Sequence, residues 1–370
     1  MKIITSKDCL LKGIQVVQNA VSTKSTLPIL SHILIEAKKE AIKLTATDLE
    51  IGVSVKIEGQ VQEEGAVTVP ARKFSEIVKE LPGEAEIHVT LKKGQSVNIE
   101  AGKSYFRLLG LLREDFPQLP DFPSHGGKYV DLVKIPQKIL KNMIQLTSFA
   151  MSHDETRYVL NGILFSFREK HLKLVATDGR RLALIQKNIG ELGSFKKDVI
   201  VPMKTILELS RDLGEEGEVT FYFKENQLQI NLGPITITSR LVEGEYPNYE
   251  QVIPKKTKEE LKVSTQNFLQ ATRRASILTN QESQSVKINI IKDRMIITKN
   301  TPDLGEAREE LEVDYKGGEL AIGFNPSFIV DVLKNVEEDN VKFGFIDPEK
   351  PAVIRSGEDY TYIVLPMQVT

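Results

Sequence analysis

The segment Ala176-Thr-Asp-Gly-Arg-Arg-Leu-Ala183 is the one loop of this 370-residue chain that looks chemically loaded. Arg180 and Arg181 beside Asp178 could clamp a phosphate, because a guanidinium group meets phosphate oxygens with two parallel hydrogen bonds. The same letters also encode a tight turn, with Asp178-Gly179 at its corner and Asp178 paired to a nearby arginine. The chain supplies its own control: Ala46-Thr-Asp-Leu-Glu50 lies 130 residues earlier, in the same local setting, and has no arginine. The Thr-Asp pair therefore reads as structural, and what is particular to the later copy resides in Arg180, Arg181 and Leu182.

Other reactive chemistry is sparse. The histidines, His32, His88, His125, His153 and His171, are scattered without the close spacing that binds metal. There is no glycine-rich phosphate cradle and no G-x-S-x-G elbow. Carboxylates are plentiful, but 51 Asp and Glu in a chain of this length is ordinary usage and does not mark an acid–base pair. The expectation is a protein that is not an enzyme and needs no cofactor or metal.

The elements that carry the loop are themselves repeated. Ser31-His-Ile-Leu-Ile-Glu-Ala37, followed by Lys43-Leu-Thr-Ala-Thr-Asp48, recurs as Asn161-Gly-Ile-Leu-Phe-Ser-Phe167 and Lys173-Leu-Val-Ala-Thr-Asp178. A degenerate third copy reads Val286-Lys-Ile-Asn-Ile-Ile291 and Met295-Ile-Ile-Thr-Lys-Asn300. Val67-Thr-Val-Pro70, Val199-Ile-Val-Pro202 and Ala321-Ile-Gly-Phe-Asn-Pro326 each lead into an amphipathic helix, and Asp115-Phe-Pro117 with Leu119-Pro120 parallels Glu245-Tyr-Pro247 with Ile253-Pro254. Repeats of this length are too long for a solenoid, so they predict three similar domains.

Each third predicts helix, strands, helix, strands. First helices start near Lys7, Pro136 and Thr265, with stripes such as Leu10/Leu11/Ile14/Val17/Val21. Period-two runs such as Val219/Phe221/Phe223 mark strands, and the class is α+β, an antiparallel sheet with two helices on one face per repeat. Boundaries are expected near Ser124–Gly127 and Pro254–Thr257. A lone cysteine, Cys9, on an apolar stripe excludes an intrachain disulfide and suits a reducing cytoplasm. No run approaches a membrane span.

Net charge is −2, which alone argues against a basic nucleic-acid binder. Its distribution argues otherwise. The six predicted helices, counted with Lys24 just past the first, hold thirteen basic and six acidic residues, a surplus of seven, which leaves the remainder of the chain at −9. Helices facing one way would set a positive lining against a negative exterior, giving sequence-independent attraction to phosphates. Few aromatic residues lie on those helices, so backbone contact with a duplex is favoured over base stacking.

Several of these motifs occur together, in order, in one family. Thr26-Leu-Pro-Ile-Leu30, Ala46–Glu50, Val69-Pro-Ala-Arg-Lys-Phe74, Ala176–Ala183 and Leu365-Pro-Met-Gln368 resemble the bacterial DNA polymerase III beta subunit, the sliding-clamp family, from Met1 to Thr370. The resemblance implies domains at 1–125, 126–254 and 255–370, and two chains paired head-to-tail in a ring whose hole is lined by helices. It implies a peptide pocket between the second and third repeats at Leu160, Thr177, Gly179, Arg181, Leu182, Pro247, Val252, Asn325, Phe328, Val364, Leu365, Pro366 and Met367. It places DNA contacts at Lys24, Arg72, Asp154, Tyr158 and Lys204, and a dimer seam at Phe106 and Leu108 against Ile277 and Leu278, flanked by Lys73 and Glu306. The implied partners are double-stranded DNA, a second copy, the polymerase III alpha subunit, the clamp loader and other clamp-motif peptides. Asp154, Val159, Arg180 and Gln368 depart from the family's usual residues. Two other readings stay open on the residues alone: a nucleic-acid-processing enzyme using Asp178, Arg180 and Arg181, and a protein-binding scaffold, which would leave the charged helices unexplained.

Overall fold

The computed structural model describes residues 1–22, 27–39, 41–120, 122, 131–254 and 256–368. Lys24 and the expected boundary at 125/126 lie outside the described residues. Six α-helices are described: α1 (Lys7–Val17), α2 (Ala71–Glu80), α3 (Gln137–Gln145), α4 (Met203–Asp212), α5 (Thr265–Ser276) and α6 (Pro326–Leu333). Their starts follow local chemistry. Ser6 and Ser264 accept hydrogen bonds from the Cys9 and Asn267 backbone N–H groups, and Asn325 accepts from Ser327 with Pro326 in the first turn. Pro136 ends a strand, and α3 begins one residue later. The stripe of α1 buries Leu10, Gly13, Ile14 and Val17, while Cys9 is only half-buried beside it and the helix stops before Val21.

The chain forms two compact units that cut through the middle repeat: residues 1–138 with 207–241, and residues 139–206 with 242–370. The first unit holds an eight-stranded sheet in the order Asp131–Pro136, Glu218–Lys224, Gln227–Leu232, Ile235–Arg240, Ile51–Ile57, Ala41–Thr47, His32–Lys38, Gly65–Pro70. It also holds a five-stranded sheet that ends on the edge strand Ser104–Leu109. The second unit repeats the plan: eight strands in the order Lys197–Pro202, Gly162–Arg168, His171–Thr177, Arg181–Asn188, Tyr360–Val364, Ala352–Ser356, Asn340–Phe345, Glu259–Ser264, and four strands ending on the edge Gly305–Glu312.

Every paired strand among those described is antiparallel. The expectation of one sheet per repeat is corrected in one respect: each large sheet joins strands of two repeats. Ile51 and Gly52 pair with Ser239 and Thr238, and Arg181 and Leu182 pair with Val364 and Ile363. A repeat folded alone would leave these end strands with unpaired backbone groups, and joining them satisfies both.

In the first unit α4 carries a polar load. Glu208 is nearly buried beside Arg211, 2.5 Å away, and burial holds its carboxyl above the usual range. Asp212 is pushed up to about 6, first by burial and then by the Glu208 charge, with Arg211 opposing; its Oδ2 is buried without a partner among the described residues. A carboxyl raised in the folded state is an added cost that appears as pH climbs past its unfolded value near 3.8 and is complete above about 6. Asp212→Asn is therefore expected to stabilise the protein at pH 7.5 by about 1 kcal/mol, after discounting for partial exposure, and by much less at pH 4. Urea unfolding at the two pH values checks this, and an equal effect at both would refute it.

Candidate peptide-binding surface

The turn at Thr177–Arg181 is fixed by its own side chains. Thr177 Oγ1 accepts from the Gly179 N–H (3.0 Å) and donates to the Arg181 carbonyl (2.5 Å). Asp178 Oδ1 accepts from the N–H groups of Arg180 and Arg181 at 2.8 and 3.0 Å. Gly179 sits at φ +85°, a conformation that favours glycine; a Cβ there would meet only the movable end of Arg157, 2.9 Å away. The Thr-Asp pair is structural, as the sequence suggested.

Arg181 does not face solvent as a phosphate clamp would require. Its side chain is 10% exposed and is fully engaged: Nε donates to Asp178 (3.1 Å), Nη1 to Asp331 on α6 (2.7 Å), and Nη2 to the Phe149 carbonyl (2.6 Å). Its guanidinium carbon lies 4.5 Å from the centre of the Phe328 ring and 5.7 Å from that of Phe149. Tyr362 donates to the Phe328 carbonyl (2.9 Å) and packs against Phe149. This cage ties α6 to the strand Arg181–Asn188 and brings Phe328 against Arg181. Phe149, Asp331 and Tyr362 were not foreseen; Asp331 is 150 residues from Arg181, and no local pattern announces the pair.

Leu182 is 3% exposed and joins a cluster with Leu164, Val175, Ile200, Val353 and Ile363, against which Val159, Tyr246, Tyr249 and Ile253 pack. Val364 is buried and pairs with Arg181, the residue before Leu182, and Leu160 is buried beside Val159 in sequence. The remaining apolar candidates are more exposed. Pro247 and Val252 come from the segment following Tyr246, and Leu365, 40% exposed, is held by its N–H donating to the Arg180 carbonyl (3.0 Å). Half-buried Pro366 leads to Met367, 37% exposed, whose N–H donates to Gly323 (2.8 Å). All thirteen expected pocket residues thus belong to the second compact unit.

The other expected site residues are placed separately. Arg72, on α2, is 90% exposed and pairs with Glu76, as does Lys73. Lys204 is exposed on α4, and Tyr158 is 59% exposed. Asp154 caps a short turn: its carboxylate accepts from the Thr156 N–H and hydroxyl at 3.0 and 2.7 Å, and its charge suits that role better than contact with phosphate. Phe106 and Leu108 lie on the edge strand of the first unit, where Tyr105 and Leu109 are also exposed; the bare edge is the signal for these last two. Ile277, 75% exposed, and Leu278 follow α5, and Glu306 lies on the edge strand Gly305–Glu312. No group of acidic, histidine or cysteine side chains suited to a metal occurs among the described residues.

Sheet-rich repeats with two helices each define a protein built from three related parts. Family profiles give it a place: those for the N-terminal, central and C-terminal domains of the DNA polymerase III beta subunit match residues 1–120, 134–248 and 250–368. The chain belongs to that family, the beta sliding clamps, with its three-domain clamp fold and its role as a non-catalytic processivity factor on DNA. It is 36% identical to the beta sliding clamp of Escherichia coli K12 and 34% identical to that of Chlamydia muridarum, in each case over all of this chain and at least 99% of the relative. Among solved structures it is similar to the Pseudomonas aeruginosa sliding clamp bound to griselimycin (TM-score 0.94, 34% identity) and to the Bacillus subtilis clamp (TM-score 0.94, 32% identity), with full coverage of both chains.

Burial would raise Asp331, but hydrogen bonds from Lys334 and Arg181 outweigh it and hold the carboxyl below its ordinary value of 3.8. A depressed carboxyl stabilises fully above the unfolded value, and that contribution is lost as pH falls through the lower folded value. Asp331→Asn is expected to cost about 1 kcal/mol at pH 7, with the difference from wild type vanishing well below pH 3.8. Unfolding curves from pH 7 to pH 2 test this, and a pH-independent difference would refute it.

Proposed function

We propose that the apolar surface around Leu182 is the pocket through which this clamp holds short peptides of its partners, the polymerase III alpha subunit, the clamp loader and other clamp-motif proteins. One observation carries the reading. Leu182 lies in a buried apolar cluster next to the caged Arg181, and the same compact unit exposes apolar Pro247, Val252, Leu365 and Met367. Such a surface favours apolar side chains, and a flexible exposed methionine suits several different peptides.

On this reading domains 1–125, 126–254 and 255–370 of two chains close a head-to-tail ring around duplex DNA in the cytoplasm. Two strands that end their sheets without an outer neighbour among the described residues, Ser104–Leu109 and Gly305–Glu312, support it as edges able to pair in trans. The first edge carries Arg107 and the second carries Glu306 and Glu312, so charge complementarity favours the match. Ile277, Leu278 and Lys73 flank it. Lys24, Arg72, Tyr158 and Lys204 supply weak, sequence-blind attraction to DNA, with Asp154 shaping the loop that presents Tyr158. Enclosure by the ring, and not these contacts, provides lasting retention. Among the described residues no helix is long and apolar enough to cross a membrane.

Two measurements test the reading. Leu182→Ala or Met367→Ala is expected to weaken binding of a polymerase clamp-motif peptide by about tenfold or more, while loading onto circular DNA is unchanged; equal loss of both would count against it. After loading by a bacterial clamp loader with ATP, the protein should stay on circular DNA and run off linear DNA of equal length. Retention that is equal on both and merely falls with salt would overturn the ring.

A further inference from the structure

The first compact unit contains a second copy of the Leu182 surface, built from the preceding repeat. Its turn, Thr47–Ile51, has the same four hydrogen bonds. Thr47 Oγ1 accepts from the Leu49 N–H (3.0 Å) and donates to the Ile51 carbonyl (2.8 Å), and Asp48 Oδ1 accepts from the Glu50 and Ile51 N–H groups at 3.0 Å each. Leu49 keeps the left-handed backbone of Gly179, at φ +77°, at the cost of strain, and leaves an apolar side chain 48% exposed. Behind the turn, Ile29, Leu30, Leu34 and Phe116 form a buried cluster that matches Val159, Leu160, Leu164 and Tyr246 position for position.

Two differences set the copies apart. At the place of Leu182 stands Gly52, and its strand partner is Thr238 where Leu182 has Ile363. The connection after Phe116 reaches its second proline, Pro120, in four fewer residues than the connection from Pro247 to Pro254. The shorter path lays Leu119 directly on Gly52: a Cβ on Gly52 would stand 2.4 Å from Leu119 Cδ2. A cleft of about 280 Å³ surrounds this contact, walled by Leu49, Ile51, Pro117, Gln118, Thr238 and Arg240.

We propose that this cleft is a second short-peptide site of the apolar, leucine-accepting kind, held closed in cis by Leu119. The inference rests on the reading of the Leu182 surface as a peptide pocket. Leu119 is an intramolecular ligand: it supplies the leucine side chain that an incoming peptide would otherwise bring, and Gly52 is the opening that admits it. Each chain consequently offers one open peptide site in place of two, although the turn and the cluster behind it are duplicated.

The test titrates the full chain with griselimycin, the ligand of the Pseudomonas aeruginosa relative, and reads equivalents per chain by calorimetry. Wild type is expected to bind one equivalent, removed by Leu182→Ala. Leu119→Ala is expected to bind two, the second about tenfold weaker or more, because Gly52 and Thr238 present less apolar surface than Leu182 and Ile363; adding Leu182→Ala to Leu119→Ala should remove only the tighter one. If wild type binds one equivalent and Leu119→Ala still binds one, the cis-ligand proposal is wrong while the pocket reading stands. If wild type binds none, or its site ignores Leu182→Ala, the pocket reading itself fails. Should Leu119→Ala not fold, Leu119→Val retracts the side chain from Gly52 with a smaller loss of volume, and the same count applies.

Discussion

Backbone pairing across the seams between repeats is the constraint on which the molecule depends. Ile51–Ser239 and Gly52–Thr238 close one seam, and Arg181–Val364 and Leu182–Ile363 close the other. Each repeat ends in strands that cannot leave their N–H and C=O groups unpaired, and antiparallel pairing with the next repeat is the least costly remedy. The consequence is that compact units and sequence repeats do not coincide: the middle repeat gives strands to both large sheets. Whatever lies at a seam is also brought next to residues far away in sequence, and the strands that follow both Thr-Asp turns lie there.

At the seam the turn geometry is held constant while the side chains diverge. Thr-Asp fixes the backbone identically at Thr47–Ile51 and Thr177–Arg181, strongly enough to hold Leu49 in a conformation that glycine prefers. Downstream of the turn the copies part. Arg181, pulled between Asp178 and Asp331 and covered by Phe328, anchors α6 and frames an open apolar surface around Leu182. Its counterpart Ile51 has no such charge, and Gly52 leaves a gap that Leu119 fills. One turn scaffold thus carries two different surfaces through a handful of substitutions and a four-residue difference in a connection.

Charge is likewise allotted by place. Basic residues concentrate on helices, whereas Glu306, Glu309, Glu310 and Glu312 load the outer edge strand; Arg274 answers Glu309, and Arg294 and Arg308 answer Glu310. A near-neutral total therefore conceals a surplus of basic over acidic residues on the helices. That surplus suits a protein that must attract a duplex without gripping it, since tight phosphate contacts would oppose sliding.

Much of this was legible in the sequence because it is periodic or local. The three repeats, the α+β class, the helices opening at Lys7 and Thr265, and the structural role of the Thr-Asp pair all follow from spacing and from hydrogen bonds made within a few residues. Comparison of the repeats singled out Leu182, but the other proposed pocket residues, such as Met367, came only from family resemblance because they carry no local mark. Three features were decided by tertiary structure alone: the merging of strands from different repeats into shared sheets, the Arg181–Asp331 pair across 150 residues, and the seating of Leu119 on Gly52. The physical reason is common to them. Local backbone conformation is fixed by neighbours in the chain, but which unpaired edge, buried charge or empty space is satisfied by which distant group depends on the packing of the whole unit, and that is not written in any one segment.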